Sequence, residues 1–395
     1  MNERKEPEIA IIGAGPIGCY TAQILAKEGL RTEIFEEHAE IGQPIACTGI
    51  VTKAIKELVD IRPEFLVNKL NSAEIFSQNT SIKLRLDEYV IDRYKFDNHL
   101  ADLAKDNGAI LWRKHKFLGF HEKEHNQQQQ ILVKDLESKK IIQKNPNIII
   151  GADGPNSKVA EIINNNNNKN NLKTKTQFWI GKQGVFQGDF EKDCFQVHLG
   201  NICPGFFGWV VPENETTARI GIAIEGNKEK DRNSPIQIFD NFLRKIKKQG
   251  HEIEKEICSQ AGLIPMFEPN KKLFEKINGR QYYIVGDAAT QVKATTGGGL
   301  VPGLNCAKKL ANSIINKTDY EKEINQENKE LKMHLMLRKT LNKFSDKNFD
   351  ELIKLLDQKR IKKILENNNR DSGIKLITKL AFSEPRLCRY GLKLL

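Results

Sequence analysis

The run Ile11-Ile12-Gly13-Ala14-Gly15-Pro16-Ile17-Gly18 constrains the fold more than any other stretch of the chain. Apolar residues after Glu8 read as a strand and Pro16 to Lys27 as a helix, so the three glycines fall on the turn between them. Glycine suits that place because the turn is tight and because a bare backbone lets a pyrophosphate settle on the amides of the helix's N-terminus. A second strand, Arg31 to Glu36, ends in a carboxylate 18 residues beyond Gly18, where it can accept hydrogen bonds from ribose hydroxyls. Three glycines alone make an ordinary tight turn, and a lone acid is an ordinary surface residue. Strand, glycines, helix and acid in this order point to a βαβ dinucleotide site using Gly13, Gly15, Gly18 and Glu36.

A later motif narrows the dinucleotide. Tyr282 to Val285 is an apolar strand running into Gly286-Asp287-Ala288-Ala289, then Thr296-Gly297-Gly298-Gly299 and a helix from about Leu300. An aspartate delivered to a ribityl hydroxyl, followed by a helix N-terminus aimed at a flavin ring oxygen, is an arrangement that FAD needs and NAD does not.

Between the two motifs the pattern changes. Asp92 to Asn107 has helical spacing and leads to a strand at Ala109 to Trp112. Stretches rich in β-branched and aromatic residues follow at Gln177–Phe190, Cys194–Leu199, Phe206–Val211 and Ala218–Ile224, which predicts a sheet interrupting the first fold. Helical periodicity returns at Pro235–Lys248, Leu300–Ile315 and from Tyr320 nearly to the end. The polar tracts Asn126–Gln130 and Asn164–Asn171 are expected at loop tips.

Composition excludes several classes. With 39% hydrophobic and 29% charged residues, the 395-residue chain is neither collagen-like nor wholly disordered. No apolar run approaches the roughly 18 residues of a membrane-spanning helix, and the charged start, Met1 to Glu8, leads to the expectation of a cytoplasmic protein. Cys19, Cys47, Cys194, Cys203, Cys258, Cys306 and Cys388 form no CxxC pair, so a structural zinc or iron–sulfur site is not expected and the thiols read as reduced. The net charge of +11 is regional, with 16 basic and 7 acidic residues from Leu331 to Leu395. A solvated helix face accounts for these lysines, and so does attraction to anionic lipid headgroups, which would place the protein peripherally on the cytoplasmic membrane face. No interleaving of aromatic and basic residues near the tail supports nucleic-acid binding.

Taken with these motifs, the chain resembles the geranylgeranyl reductase family of flavoproteins, and especially the archaeal digeranylgeranylglycerophospholipid reductases. The resemblance spans most of Glu8 to Ile315. It rests on the opening glycine turn, Ile41 to Gly49, Val90-Ile91-Asp92-Arg93, Gly151-Ala152-Asp153-Gly154, Pro204 to Pro212, and Gly286 to Gly299. It implies an α/β fold with a glutathione-reductase-like FAD-binding Rossmann domain (1–70, 93–165 and 276–318), an inserted antiparallel-sheet substrate domain (71–92 and 172–275) and a basic helical C-terminal region (319–395). It further implies FAD contacts at Ile17, Glu36, Cys47, Thr48, Gly49, Arg93, Phe117, Asp287, Gly299 and Leu300.

For substrate, the family likeness implies an apolar cavity beside the flavin, lined in the Pro204–Pro212 segment by Pro204, Phe206, Trp209 and Pro212. Burial of a polyprenyl chain at roughly 0.8 kcal/mol per CH₂ would hold a geranylgeranyl phospholipid there. The implied reaction is hydride transfer from reduced flavin to an isoprenoid double bond, with a proton added to the other carbon and electrons from an unidentified donor. Cys47 is the candidate acid, and a small apolar filler is the other reading of the same thiol. The chain departs from the family at Cys47-Thr48-Gly49-Ile50, where a CGEG-like run is common, and at Thr290, where a small residue is usual.

Two alternatives stay open. A flavin monooxygenase of the aromatic-hydroxylase type shares the nucleotide motifs but usually carries a histidine and paired prolines after Gly-Asp-Ala-Ala, where this chain has Thr290 and Ala294-Thr295. A non-enzymatic isoprenoid carrier of this fold would have lost the flavin determinants, and all of Gly13, Gly15, Gly18, Glu36 and Asp287 remain.

Overall fold

The structure, a computed structural model, describes residues 8–45, 47–120, 130–167, 176–226, 234–368 and 371–387. Among the described residues the chain forms α1 (Pro16–Lys27), α2 (Arg93–Asp106), α3 (Lys158–Asn167), α4 (Pro235–Lys248), α5 (Leu300–Asn316), α6 (Tyr320–Glu323), α7 (Asn325–Leu341), α8 (Asp346–Leu356), α9 (Lys359–Glu366) and α10 (Gly373–Ser383).

Among the described residues the strands form three sheets. The first has six strands in the order Phe274–Ile277, Arg280–Ile284, Ile148–Gly151, Ile9–Ile12, Thr32–Phe35, Ile110–Trp112. Its central pairings are parallel, with Ile9 opposite both Thr32 and Ile148. Strands buried on both faces read as continuous apolar runs, as Ile9–Ile12 and Ile148–Gly151 do. Packing of α1, α2 and α5 around them makes the largest core cluster, including Ile11, Leu25, Ile34, Phe96, Ile150 and Leu304.

The second sheet has eight strands in the order Ile253–Pro265, Phe178–Gly188, Thr217–Glu225, Phe207–Pro212, Cys194–His198, Leu66–Phe76, Ser81–Ile91, Ile50–Thr52. Its pairings are antiparallel except that Cys194–His198 runs parallel to Leu66–Phe76. Side chains alternate across a sheet with period two, and both faces are used here. Ile180, Phe186 and Val210 pack on one face with Phe239 and Phe242 of α4. Trp179, Trp209 and Val211 point to the other face and join Phe206, Leu331 and Leu335. A small third sheet comprises His115–Phe120, Ile131–Asp135 and Ile141–Lys144.

The chain passes back and forth between the two large sheets. Strands of the second sheet occur at Ile50–Thr52 and from Leu66, earlier than the expected boundary at 71, and the return to the first sheet begins at Phe274. The expected helices at Pro16–Lys27 and Pro235–Lys248 are present with those bounds. The polar tract from Asn164 differs from expectation: it continues α3 through Asn167, because the buried Val159, Ala160 and Ile163 carry the helix into it, while the remainder and all of 126–129 lie outside the described residues.

The C-terminal region is helical and packs against the second sheet. Arg338 of α7 is buried with no carboxylate partner among the described residues; its guanidinium donates to the carbonyls of Ala294, Thr295 and Phe206 and lies over the Phe206 ring, 4.4 Å from its centroid. That burial pushes its pKa down to about 9. Among the described residues no helix is long and apolar enough to cross a membrane.

Candidate functional site

The expected turn is built as a close approach of two backbones. Gly13 has φ +97°, and a Cβ on Gly18 would lie 2.1 Å from the Gly13 carbonyl oxygen, so neither position admits a side chain without displacement. Gly15 is the opposite case, with nothing within 4 Å of its would-be Cβ. It faces open space at the start of α1. Glu36, just past the Thr32–Phe35 strand, turns its carboxylate inward: one oxygen accepts from Ala14 N–H at 2.8 Å and the other contacts His38 Nδ1 at 2.6 Å.

These groups open on a cavity of about 740 Å³ that is also lined by Gly13, Gly15, Cys47, Arg93, Phe117, Ala152, Gly154 and Asp287. It shares Gly15, Cys47, Arg93 and Asp287 with a second cavity of about 280 Å³, lined further by Ile17, Lys293, Thr296, Gly299 and Leu300 at the N-terminus of α5. A third, apolar cavity of about 190 Å³ shares Cys47, Ile50, Ile264 and Thr296 with the second and is walled by Phe195, Val197, Phe206, Phe207, Trp209 and Val211. The three form one cleft between the sheets. Cys47 borders all of them.

Arg93, at the first turn of α2, holds Asp97 one turn on through two hydrogen bonds of 3.0 and 2.9 Å. Burial works against the guanidinium, but the Asp97 carboxylate beside it outweighs that and holds it firmly protonated. Asp287 follows the Arg280–Ile284 strand in the Gly286–Ala289 turn and makes no side-chain hydrogen bond among the described residues. Burial pushes its carboxyl up to about 6, with Arg93 pulling the other way. A half-buried carboxyl that lines both cavities and has no donor among the described residues is an acceptor open to a ligand's hydroxyl.

The apolar cavity has a polar strip on its floor. Gln183 Oε1 accepts from Trp209 Nε1 at 2.9 Å and from Thr48 Oγ1 at 2.8 Å, and Gln183 Nε2 donates to Gln260 Oε1 at 2.9 Å. Arg219 fixes the segment above it, donating to the carbonyls of Thr48 and Ile91 at 2.5 and 3.1 Å while pairing with Glu213.

Residues 6–322 match the family described as FAD binding domain. The chain belongs to this FAD-binding family. FAD is therefore its cofactor, and the cleft fits it: the glycine cradle is open at Gly15, Glu36 and Asp287 present acceptors at two separated points, and the two larger cavities adjoin, sharing Gly15, Cys47, Arg93 and Asp287.

Similar proteins narrow the comparison. The chain is 28% identical over 380 residues, 90% of its length and 89% of the relative's, to digeranylgeranylglycerophospholipid reductase 1 of Methanococcoides burtonii. It is also 28% identical to digeranylgeranylglycerophospholipid reductase 3 of Methanosphaera stadtmanae, covering 95% of this chain and 96% of that one. The fold matches the crystal structure of a geranylgeranyl bacteriochlorophyll reductase-like protein of Thermoplasma acidophilum, with TM-score 0.81, 23% identity and coverage of 98% and 99%. A halogenase in complex with FAD shares it more distantly, with TM-score 0.60 and 11% identity over 93% of this chain and 87% of that one.

In this FAD-binding protein most residues singled out from sequence meet at the cleft. Gly13, Gly15, Ile17, Glu36, Cys47, Arg93, Phe117, Asp287, Gly299 and Leu300 line its nucleotide-sized part. Gly18 lies beneath the turn and lines neither of these cavities. Thr48 and Gly49 border the apolar cavity and neither of the other two, because Arg219 draws their backbone toward the eight-stranded sheet. Of the four expected substrate residues, Phe206 and Trp209 line the apolar cavity. Pro204 and Pro212 do not: the first sits in a turn where its carbonyl accepts from Glu225 N–H, and the second is buried at a strand end where its carbonyl accepts from Asn68. Gln183, Gln260 and Phe195 were not singled out, though a glutamine centred in the β-type run Phe178–Gly188 is a visible anomaly.

Proposed function

We propose that this protein is an FAD-dependent reductase that saturates isoprenoid double bonds of geranylgeranyl chains on membrane-lipid precursors. The observation that carries the reading is that the FAD cleft shares Cys47, Ile50 and Thr296 with an adjoining cavity walled by Phe195, Phe206, Phe207 and Trp209. Bound FAD, once reduced by an external donor, supplies the hydride.

The protein's own residues do the rest in this account. The aromatic wall takes the apolar chain by burying its methylenes and excludes water from the reacting alkene. Cys47, which borders both the FAD cleft and the cavity, is assigned the proton that the second alkene carbon requires, and Gly49 N–H, 3.3 Å from its sulfur, orients it. Gln183 holds Trp209 and Thr48 in place, so the floor below the alkene is rigid. The six-stranded half of the fold, read as glutathione-reductase-like, binds FAD, and the eight-stranded half, read as an inserted substrate domain, binds lipid. The exposed C-terminal lysines draw the enzyme to anionic headgroups on the cytoplasmic membrane face.

The test separates this reading from a monooxygenase. Under anaerobic conditions with dithionite, the enzyme is expected to raise the mass of a geranylgeranyl-bearing phospholipid by one hydrogen pair per double bond. Lipid left unchanged, together with NADPH-driven oxygen consumption stimulated by an aromatic compound, would overturn it.

A further inference from the structure

Asp371 lies between α9 and α10, far along the chain from either nucleotide motif, yet its carboxylate bonds two residues that line the cofactor cleft. One oxygen accepts from Lys293 Nζ at 2.5 Å and the other from Thr52 Oγ1 at 2.5 Å. The Lys293–Asp371 pair is largely buried, with side-chain exposures of 11% and 15%. Lys293 and Thr52 both line the 280 Å³ cavity. On its other side the pair borders a separate space of about 130 Å³, with Glu330 and His334 of α7. A single carboxylate from the C-terminal region therefore bridges two walls of the FAD cleft.

Lys293 stands where its charge matters. A Cβ on Gly298 would lie 3.3 Å from Lys293 Cε and 3.8 Å from Nζ, so the ammonium sits beside the glycines that open α5. Unpaired N–H groups at a helix N-terminus already favour negative charge there. Lys293 adds a full cation, and Asp371 offsets it. Arg93, which lines the same cavity, is neutralised separately by Asp97, and Asp287 lines that cavity too. Asp371 cannot drift, because α10 is pinned at its first turn: Ile374 N–H donates to Glu330 at 3.1 Å, and a Cβ on Gly373 would lie 3.3 Å from His334 Nε2.

We propose that Asp371 sets the charge Lys293 presents to FAD, so that the docked C-terminal region tunes how readily the flavin is reduced. Reduction adds electrons to the ring system, and a nearby cation favours the reduced state over the oxidised one. Removing Lys293 takes its cation away from the cavity wall and disfavours reduction. Removing the Asp371 charge leaves Lys293 unopposed and favours it. A purely structural ion pair would destabilise the fold in both variants and leave the ratio of the two FAD affinities unchanged. The inference rests on FAD occupying this cleft.

The experiment is a dye-coupled potentiometric titration of FAD bound to full-length wild type, Lys293→Met, Asp371→Asn and Lys293→Arg. Lys293→Met is expected to lower the midpoint potential and Asp371→Asn to raise it. Each shift corresponds to about a tenfold change in the ratio of affinities for reduced and oxidised FAD, ~30 mV for a two-electron couple. Lys293→Arg is expected to keep the wild-type value. Where a variant sheds its flavin, binding titrations with oxidised and dithionite-reduced FAD give the same ratio from two dissociation constants. Ratios unchanged, or moved in the same direction by both charge-removing variants, overturn the inference alone. Wild-type protein that takes up no FAD overturns the cofactor assignment and this inference with it.

Discussion

The backbone N–H of Ala14 donates to the carboxylate of Glu36 at 2.8 Å, tying the glycine turn to the acid that follows the next strand. The contact gives Glu36 two tasks, holding the turn and accepting from the cofactor. Glu36→Gln keeps an oxygen for Ala14 but loses the charge. Because hydrogen bonds to charged groups are worth about 1.5–3 kcal/mol, FAD affinity should fall about tenfold or more with little change in unfolding midpoint. Isothermal titration of FAD into the apoprotein checks this, and an unchanged dissociation constant would remove Glu36 from the site.

Gly15 and Gly18 predict opposite failures from the same substitution. Gly15→Ala meets nothing within 4 Å, so the apoprotein should keep its stability to within about 0.5 kcal/mol while the new methyl crowds the pyrophosphate and FAD is lost. Gly18→Ala drives a methyl to 2.1 Å from the Gly13 carbonyl oxygen. It should cost about 3 kcal/mol or more and yield little folded protein. Urea unfolding of both, with FAD content measured alongside, separates a binding defect from a folding defect.

Asp287 carries a pH signature. Its carboxyl is raised from 3.8 to about 6 by burial, so the fold favours the protonated form. The associated stability is fully present below the unfolded pKa and is lost as pH rises through about 6. Above that pH the unliganded protein holds a poorly solvated carboxylate, and Asp287→Asn should stabilise it by about 1–3 kcal/mol. In the loaded protein a ribityl hydroxyl donating to Asp287 offsets that penalty, so the same change should weaken FAD. Thermal unfolding of apo and loaded forms at pH 5 and pH 8 is the check. Equal effects of Asp287→Asn at both pH values in the apoprotein would contradict the assignment.

The nucleotide half of the site was legible in the sequence because its signals are local. Glycines, strand, helix and acid lie within Ile9 to Glu36, and Asp287 lies between its own strand and helix. The cavity was only half legible. Aromatic residues of Phe206–Trp209 declare an apolar surface, but which residues face the cavity depends on strand alternation, which turns Pro212 away, and on the turn before the strand, which holds Pro204 elsewhere. Gln183 and Gln260 are 77 positions apart and meet only because Phe178–Gly188 pairs in register with Ile253–Pro265. Lys293 and Asp371, 78 positions apart, meet only when α10 docks on α7. No local pattern encodes such meetings.

The basic C-terminal region allows a graded test of membrane attraction. Lys359 and Lys363 of α9 are exposed, whereas Lys362 is half-buried and 3.6 Å from Asp357. With about 1 kcal/mol per lysine near an anionic surface, Lys359→Glu with Lys363→Glu should weaken binding to phosphatidylserine vesicles more than tenfold, and Lys362→Glu should do less. Vesicle sedimentation at low and high salt reads both. Binding indifferent to salt and to these changes would leave the lysines as an ordinary solvated face.

The most direct measurement of the central claim is an anaerobic single turnover. Protein loaded with FAD and reduced by one equivalent of dithionite is mixed with geranylgeranyl phospholipid, while flavin absorbance and lipid mass are followed together. The account predicts that oxidised-flavin absorbance returns in step with the gain of one hydrogen pair per flavin, and that Trp209→Ala slows both equally. Flavin that stays reduced beside unchanged lipid would contradict it.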